Sequence, residues 1–129
     1  MTRTRPVKRL TTLLTALAVS LGTALATSTA AEAAPCRSGY FCVWTDANFE
    51  GMKIEHGGDD HWWEGDMSNE DSSWANHGIS GPNVPDHVKI YDGRELIGDV
   101  TLCLAPGQEV GYDGGANDRG SSHTWSVGC

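Results

Sequence analysis

Two clusters of asparagine, aspartate and serine residues carry the side chains in this sequence that are best suited to binding an ion. One cluster spans residues 68–73 (SNEDSS) and the other spans residues 117–122 (NDRGSS). Carboxylate, amide and hydroxyl oxygens are the hard ligands that calcium prefers, about six to eight at a time. The same side chains also satisfy backbone groups in turns. The residues alone therefore leave two alternatives open, a calcium site or a loop with a structural role.

Another cluster, at residues 59–66 (DDHWWEGD), combines acids, an imidazole and two indoles. Its composition suits a transition metal or a sugar, but its spacing matches no established ligand pattern. The sequence also contains no G-x-S-x-G, H-E-x-x-H, P-loop or dinucleotide fingerprint. We therefore predict a protein that acts by binding and is not an enzyme. We expect four tryptophans to pack in the core or against loops: Trp62, Trp63, Trp74 and Trp125. We expect three histidines at the surface or in turns: His77, His87 and His123.

The first residues are typical of a secretory signal peptide. Four basic residues within the first nine precede an almost uncharged run over residues 10–26, and an A-x-A cleavage pattern follows at residues 31–33. We predict residues 1–33 as the signal peptide and residues 34–129 as a secreted, extracellular domain. A membrane anchor is the alternative, but it needs about 20 apolar residues, more than this threonine-rich run supplies.

The predicted mature chain is strongly acidic. Loss of residues 1–33 removes four of the nine basic residues and one of the seventeen acidic ones, which leaves five against sixteen, a net charge of −11. Nucleic acids and anionic membranes require a positive face, so we predict neither as a partner of the processed protein, which we expect to be a monomer. An acidic surface is compatible with a bound cation, and it also simply keeps a protein soluble.

The sequence contains four cysteines, Cys36, Cys42, Cys103 and Cys129. An even number of cysteines in an exported chain predicts disulfides rather than a thiolate metal site. Of the three possible pairings we prefer Cys36–Cys42, which closes a local loop, and Cys103–Cys129, which ties the C-terminal segment to an apolar strand. A loop of the second size stabilises a fold by about 3 kcal/mol if it acts by restricting the unfolded chain.

Short apolar runs bounded by glycine, proline, asparagine or aspartate predict strands and no helix. Many short strands at even spacing are typical of a β-sandwich or β-barrel. The predicted strands are residues 40–45, 52–56, 87–91, 100–104, 109–112 and 124–127.

The chain also contains an internal repeat. An aromatic residue, four residues, a large apolar residue, one residue and a glycine occur twice, 47 residues apart, and a Ser-Ser pair follows each copy at an offset of 49. We predict residues 40–76 and 87–126 as two copies of one unit whose apolar faces cover each other. The residues of the two copies are Trp44, Phe49 and Gly51, and Tyr91, Leu96 and Gly98.

This repeat resembles the folded hairpin of the βγ-crystallin superfamily, over residues 44–51 (WTDANFEG) and 91–98 (YDGRELIG, with leucine in the place of an aromatic). The resemblance implies an all-β, double Greek-key sandwich, here with two disulfides. Microbial members bind calcium through two Asn/Asp, two variable residues, Ser/Thr and Ser, which residues 117–122 match throughout; residues 68–73 depart from the motif at Ser68. The ligands that the resemblance implies are the side chains of Asn69, Ser72, Asp118 and Ser121 and the backbone carbonyls of Glu70 and Arg119.

The start of the predicted mature chain resembles a second group. Residues 34–44 (APCRSGYFCVW) and 102–107 (LCLAPG) are similar to the secreted actinobacterial metallopeptidase-inhibitor family, small crystallin-like proteins with a C-x5-C disulfide after the signal. That resemblance implies inhibition of thermolysin-type metallopeptidases by a rigid exposed loop. The family pattern clamps this loop with a closely spaced second cysteine pair, and Cys103 and Cys129 are too far apart to do so, so no reactive bond is assigned.

Two functions follow as predictions. The first is a secreted binding protein that blocks an extracellular peptidase through an exposed loop. The alternative is a calcium-binding extracellular module with a structural, stress or antimicrobial role.

Overall fold

The computed structural model describes Gly22 and residues 35–129. The predicted signal peptide, residues 1–33, therefore lies outside the described residues apart from Gly22. In the described part, no helix has the length and apolar character needed to cross a bilayer. The strands are β1 (Phe41–Asp46), β2 (Glu50–His56), β3 (Ser73–Asn76), β4 (His87–Tyr91), β5 (Val100–Leu104), β6 (Glu109–Val110) and β7 (Ser122–Ser126), with short 3-10 turns at Ala47–Phe49, Gly65–Met67 and Arg94–Leu96.

The strands form two antiparallel sheets, in the orders β2-β1-β3-β6 and β5-β4-β7. The two halves of the chain exchange segments between these sheets. Strand β6, from the second half, pairs with β3, where Trp74 lies opposite Val110. In return, Asp60 of the first half forms an isolated bridge with His123 of β7. The predicted all-β double Greek-key sandwich is confirmed.

Each half begins with a folded hairpin whose tip has a left-handed backbone. The last two residues of the 3-10 turn and the following glycine have positive φ in both copies: Asn48, Phe49, Gly51, and Glu95, Leu96, Gly98. Glycine is required at the third position because a Cβ there approaches the carboxylate of an aspartate closer than 3.0 Å in each copy.

A serine hydroxyl fastens each hairpin to the end of its own half. Ser73 Oγ accepts a hydrogen bond from Phe49 N–H (2.9 Å) and donates one to the carbonyl of Asp46 (2.7 Å). Ser122 Oγ makes the equivalent pair with Leu96 N–H (3.2 Å) and the Gly93 carbonyl (2.6 Å). These two serines are the second members of the Ser-Ser pairs.

The core lies between the two sheets and takes side chains from both. Sequence-based prediction missed one of its elements, since β3 was not among the predicted strands although all four of its residues are buried. The expected surface position of His123 was also wrong, because this side chain is fully buried. The buried apolar cluster consists of Phe41, Val43, Trp63, Met67, Trp74, Val88, Ile90, Leu104 and Ala116.

Both predicted disulfides are present. Cys36 is bonded to Cys42, and Cys103 is bonded to Cys129. The first closes the turn that leads into β1, and the second links β5 to the end of the chain.

Candidate functional site

The two ion-binding candidates lie side by side. We call residues 68–73 the first motif loop and residues 117–122 the second motif loop. Asn69 N–H donates to the carbonyl of Gly120 (2.8 Å), and Asp118 N–H donates to the carbonyl of Asp71 (2.8 Å). Asn69 and Asp118 both have left-handed backbones, with φ of 62° and 58°. The loops are therefore joined by a reciprocal pair of backbone hydrogen bonds.

Side-chain oxygens from both loops converge on one side of this pair. Ser121 Oγ lies 3.3 Å from Asn69 Oδ1 and 3.1 Å from Ser68 Oγ. Asn69 and Ser121 are two of the six predicted ligands, and they come from different loops. Ser68, the residue that departs from the crystallin motif, adds a third oxygen.

A hollow of about 480 Å³ opens beside the first motif loop, and Ser68 and Glu70 line it together with Asp66. Two carboxylate residues, Asp66 and Glu70, and two hydroxyl residues, Thr45 and Ser68, thus border the same space. Neutral or anionic oxygen is the donor type that calcium takes. The donor set at the first motif loop fits such an ion.

The remaining predicted ligands are arranged differently. Ser72 is buried, and its N–H donates to the carbonyl of Trp44 (2.9 Å). The side chain of Arg119 is directed to the Gly115 carbonyl (2.8 Å) and to Asp92 Oδ2 (3.3 Å), so only its backbone carbonyl suits the predicted role. In the described part of the chain, the buried Oδ1 of Asn117 has no hydrogen-bond partner. This atom offers an unused acceptor beside Asp118.

The residue that holds the two loops together is Asp71, which sequence analysis treated only as a variable position. Its side chain is fully buried. Asp71 Oδ1 accepts from Gly120 N–H (2.8 Å), and Oδ2 accepts from Trp74 Nε1–H (2.8 Å). Burial raises the pKa of Asp71, and these two donors oppose that shift. Because both oxygens already accept hydrogen bonds, Asp71 supports the loops rather than facing the hollow.

Gly120 is required by the contact between the loops. A Cβ at this position would lie closer than 3.0 Å to Asp71 Oδ2 and to the ring of Trp63. We expect Gly120→Ala to lower the free energy of unfolding by about 1 to 3 kcal/mol, the usual cost of overpacking. Gly58→Ala is the matched control, since no atom lies within 4 Å of its Cβ position. Urea unfolding of both variants measures the difference, and equal stabilities would contradict the required contact.

His123 is a second buried polar group that the sequence did not reveal. Its Nδ1 accepts a hydrogen bond from Trp63 Nε1–H (2.8 Å), and its Nε2 lies 2.9 Å from the Gly58 carbonyl. This pairing requires a neutral ring with the proton on Nε2. Burial lowers the pKa of His123 to about 4 from 6.5, and the nearby His56 ring, 5.3 Å away, acts in the same direction.

The fold should therefore lose stability in mild acid. Unfolded His123 takes up a proton below pH 6.5 while the folded ring stays neutral down to about pH 4, so this stabilisation is complete above pH 6.5 and is lost as pH falls toward 4. We expect a loss of about 2 kcal/mol from this residue between pH 7.5 and pH 5. Asp59, Asp60 and His56 also face the ring.

Urea unfolding of the wild type and of His123→Gln at the two pH values measures this effect. Glutamine keeps one acceptor and one donor but does not titrate. Asp71 has the opposite effect on the pH dependence of stability, because a raised pKa favours the folded state at lower pH. Both proteins contain Asp71, so its contribution cancels when their free energies of unfolding are subtracted. An equal pH response in both proteins would exclude His123 as the cause.

One group of potential metal-binding side chains among the described residues is Cys36, Cys42 and Glu55. The two sulfurs form a disulfide and are not available as thiolates. Glu55 is paired with Lys53 (3.0 Å) and with Arg37. This group is therefore a disulfide next to an ion-paired glutamate, and its role is structural.

Several surface positions expose large aliphatic side chains that a protein partner can contact, and two of the segments concerned connect strands. One is the connection between β3 and β4, where Ile79 is 71% exposed and Val84 is 41% exposed. The other is the second folded hairpin, where Ile97 is 67% exposed. Sequence analysis did not single out the first segment, although it contains two prolines and falls in neither repeat.

Solved structures with a similar fold include βγ-crystallins. One structure, from work on the evolution of the eye-lens βγ-crystallin domain fold, has a TM-score of 0.58 and 19% sequence identity to this protein. The alignment covers 70% of this chain and 89% of the solved chain. A βγ-crystallin from an archaeon has a TM-score of 0.54 and 20% identity, covering 69% and 99%. One from Ciona intestinalis also has a TM-score of 0.54, with 18% identity, covering 68% and 100%. At these identities the likeness establishes the fold alone.

A relationship at the level of sequence is found with one family. No curated protein sequence matches the chain. Residues 29–103, more than half of the chain, match peptidase inhibitor family I36. Inhibitors act by binding, so the prediction that the protein is not an enzyme is confirmed, as is the predicted likeness to crystallin-like peptidase inhibitors. The chain belongs to peptidase inhibitor family I36.

Proposed function

We propose that the protein is secreted and blocks an extracellular metallopeptidase by placing an exposed loop in the peptidase's active-site cleft. The observation that carries this proposal is the match of residues 29–103 to an inhibitor family. The choice of a metallopeptidase follows the likeness of residues 34–44 to the opening of the actinobacterial inhibitors. The two disulfides support an oxidising, extracellular location.

The scaffold has the rigidity that such a role needs. Inhibitors that bind a peptidase tightly change shape little on binding, because ordering a mobile loop costs affinity. Here a strand of the second half completes the first sheet, an isolated bridge joins the first half to the second sheet, and one disulfide lies at each end of the described domain. Loops between these strands are therefore presented from a fixed base.

Titration of the mature domain into a thermolysin-type metallopeptidase tests the proposal, with a serine peptidase as the class control. We expect the metallopeptidase rate on a small peptide substrate to fall at micromolar protein and the serine peptidase rate to stay unchanged. Mass spectrometry of the recovered protein should show an intact chain. An intact chain distinguishes an inhibitor from a protein that slows the assay only because the peptidase cleaves it as a competing substrate. Unchanged rates across several metallopeptidases would remove the proposal.

We propose calcium binding at the motif loops as a second property, because Asn69 Oδ1, Ser121 Oγ and Ser68 Oγ converge there. Asn69, Ser72, Asp118 and Ser121 would hold the ion through side chains, and Glu70 and Arg119 through carbonyls. An ion bound only by the folded state raises stability, by about 2.7 kcal/mol at one hundred times its dissociation constant.

Thermal unfolding with calcium and with chelator tests this property. We expect calcium to raise the melting temperature of the wild type and of Asn83→Ala, but not that of Asn69→Ala. The two asparagines are matched, since both have left-handed backbones, with φ of 54° for Asn83 and 62° for Asn69. A wild-type melting temperature that is the same in calcium and in chelator would exclude the site.

A further inference from the structure

The connection between the two halves, residues 78–86, has features that the fold itself does not require. We call this segment the linker loop. It begins after β3 ends at Asn76 and stops where β4 begins at His87, so it belongs to neither copy of the repeat. Ile79 and Val84 nevertheless expose 71% and 41% of their surface. Single exposed aliphatic side chains are common on protein surfaces, so a binding role for these two depends on how the loop that carries them is held.

The base of the linker loop is clamped by Asn76, whose side chain is fully buried. Its Oδ1 accepts from Gly78 N–H (2.8 Å), at the start of the loop. Its Nδ2 donates to the carbonyl of Asp86 (2.8 Å), at the end of the loop, and to that of Leu104 (3.0 Å) in β5. One buried amide thus fixes both ends of the loop and ties them to the second sheet.

The interior of the linker loop is ordered as well. Val84 N–H bonds the carbonyl of Gly81 (3.4 Å) across a turn whose central residues are Pro82 and Asn83, the latter with φ of 54°. Proline followed by a residue with positive φ is typical of a type II turn. Gly81 N–H also donates to Asp86 Oδ2 (3.3 Å). The loop is therefore exposed and braced by its own hydrogen bonds.

The second hairpin is the competing surface. Ile97 is similarly exposed, but its carbonyl accepts from Gly93 N–H (3.0 Å) and closes the hairpin. This hairpin has an equivalent in the first half, with the same left-handed residues and the same serine contact. Its conformation is thus part of the repeated unit, whereas the linker loop lies between the two copies and belongs to neither.

On the basis of the proposed inhibitor function, we propose that the linker loop is the segment that enters the peptidase cleft and that Ile79 is its anchor in an apolar subsite. Asn76 clamps both ends of this loop by hydrogen bonds. A loop fixed in its bound shape loses little conformational entropy on binding. A single well-placed apolar side chain commonly carries a large part of the binding energy.

Inhibition constants of three variants against the inhibited metallopeptidase test this assignment. We expect Ile79→Asp to weaken inhibition at least about 30-fold, the scale of a hot-spot residue, and Ile79→Leu to stay within about threefold of wild type, since it keeps an apolar anchor. Ile97→Asp is the matched control, equally exposed on the other loop, and should also stay within about threefold. Circular dichroism and melting temperature confirm that each variant is folded.

The outcomes separate the loop from the function. Inhibition that survives Ile79→Asp, or that is lost in Ile97→Asp alone, overturns the assignment of the linker loop and leaves the inhibitor function standing. A wild-type protein that inhibits no peptidase in the panel overturns both.

Discussion

Replacement of Trp63 with alanine is expected to lower the free energy of unfolding by about 3 to 5 kcal/mol, the usual cost of removing a large aromatic side chain from a core. Trp63 is fully buried and packs against Phe41, with ring centroids 6.4 Å apart. Its indole N–H also satisfies His123 Nδ1. The variant therefore creates a cavity and leaves a buried acceptor unpaired.

The neighbouring Trp62 is the matched control. Its side chain is 44% exposed and is covered on one face by Arg94, whose guanidinium carbon lies 4.3 Å from the ring centroid. A partly exposed cation–π contact contributes about 0.5 to 1 kcal/mol, and a ring that is already 44% exposed loses less buried area than Trp63 does, so Trp62→Ala should cost clearly less than Trp63→Ala. Chemical unfolding of the two variants under the same conditions measures both values. Similar losses for the two tryptophans would contradict the described core.

The second large effect is expected from the disulfide between Cys103 and Cys129. Their separation is 26 residues, and a crosslink that closes a loop of this size stabilises a fold by about 3 to 4 kcal/mol through the unfolded chain. We expect the double variant Cys103→Ala/Cys129→Ala to lose that amount in urea unfolding. Val127→Ala, at an exposed position of the same terminal segment, keeps the disulfide and should lose less than about 1 kcal/mol. A loss below about 1 kcal/mol in the double variant would show that the crosslink is not what holds the terminus.

The folded hairpins could be predicted because the residues that shape them are close together in sequence. Trp44 and Phe49 meet edge to face with centroids 5.2 Å apart, and Gly51 follows two residues later with φ of 80°. The residues that shape this hairpin therefore lie within a stretch of eight. The copy at residues 91–98 repeats the same local requirements, so the recurrence of the spacing, with the Ser-Ser pairs and the resemblance to βγ-crystallins, led to the prediction.

Strand β3 could not be predicted because its burial depends on distant partners. Ser73 and Asn76 are polar, and no apolar alternation marks the segment. Ser73 is accommodated because Asp46 and Phe49 take up its hydroxyl. Asn76 is accommodated because Asp86 and Leu104 accept from its amide. These partners are 10 to 28 residues away from their donors or acceptors.

The centre of the candidate site escaped prediction for the same reason. His123 is paired with Trp63 across 60 residues, and Asp71 with Gly120 across 49. Both polar groups read locally as surface residues, since only the folded arrangement supplies their hydrogen bonds. The motif loops themselves were found because their Asx and Ser content is local, and the contact between Asn69 and Ser121 agrees with ligands drawn from both loops.

The exchange of segments between the halves makes the domain a single folding unit. Trp74 pairs with Val110, so the first half depends on the second for the last strand of its sheet, and Asp60 is bridged to His123 of the second sheet. A fragment that contains only the first copy of the repeat would leave β3 without its partner β6, and one that contains only the second copy would leave β7 without its bridge to Asp60. The chain must close these long loops before the pairing compensates for the lost entropy, which places its folding among the slower, milliseconds-to-seconds class typical of non-local β topologies.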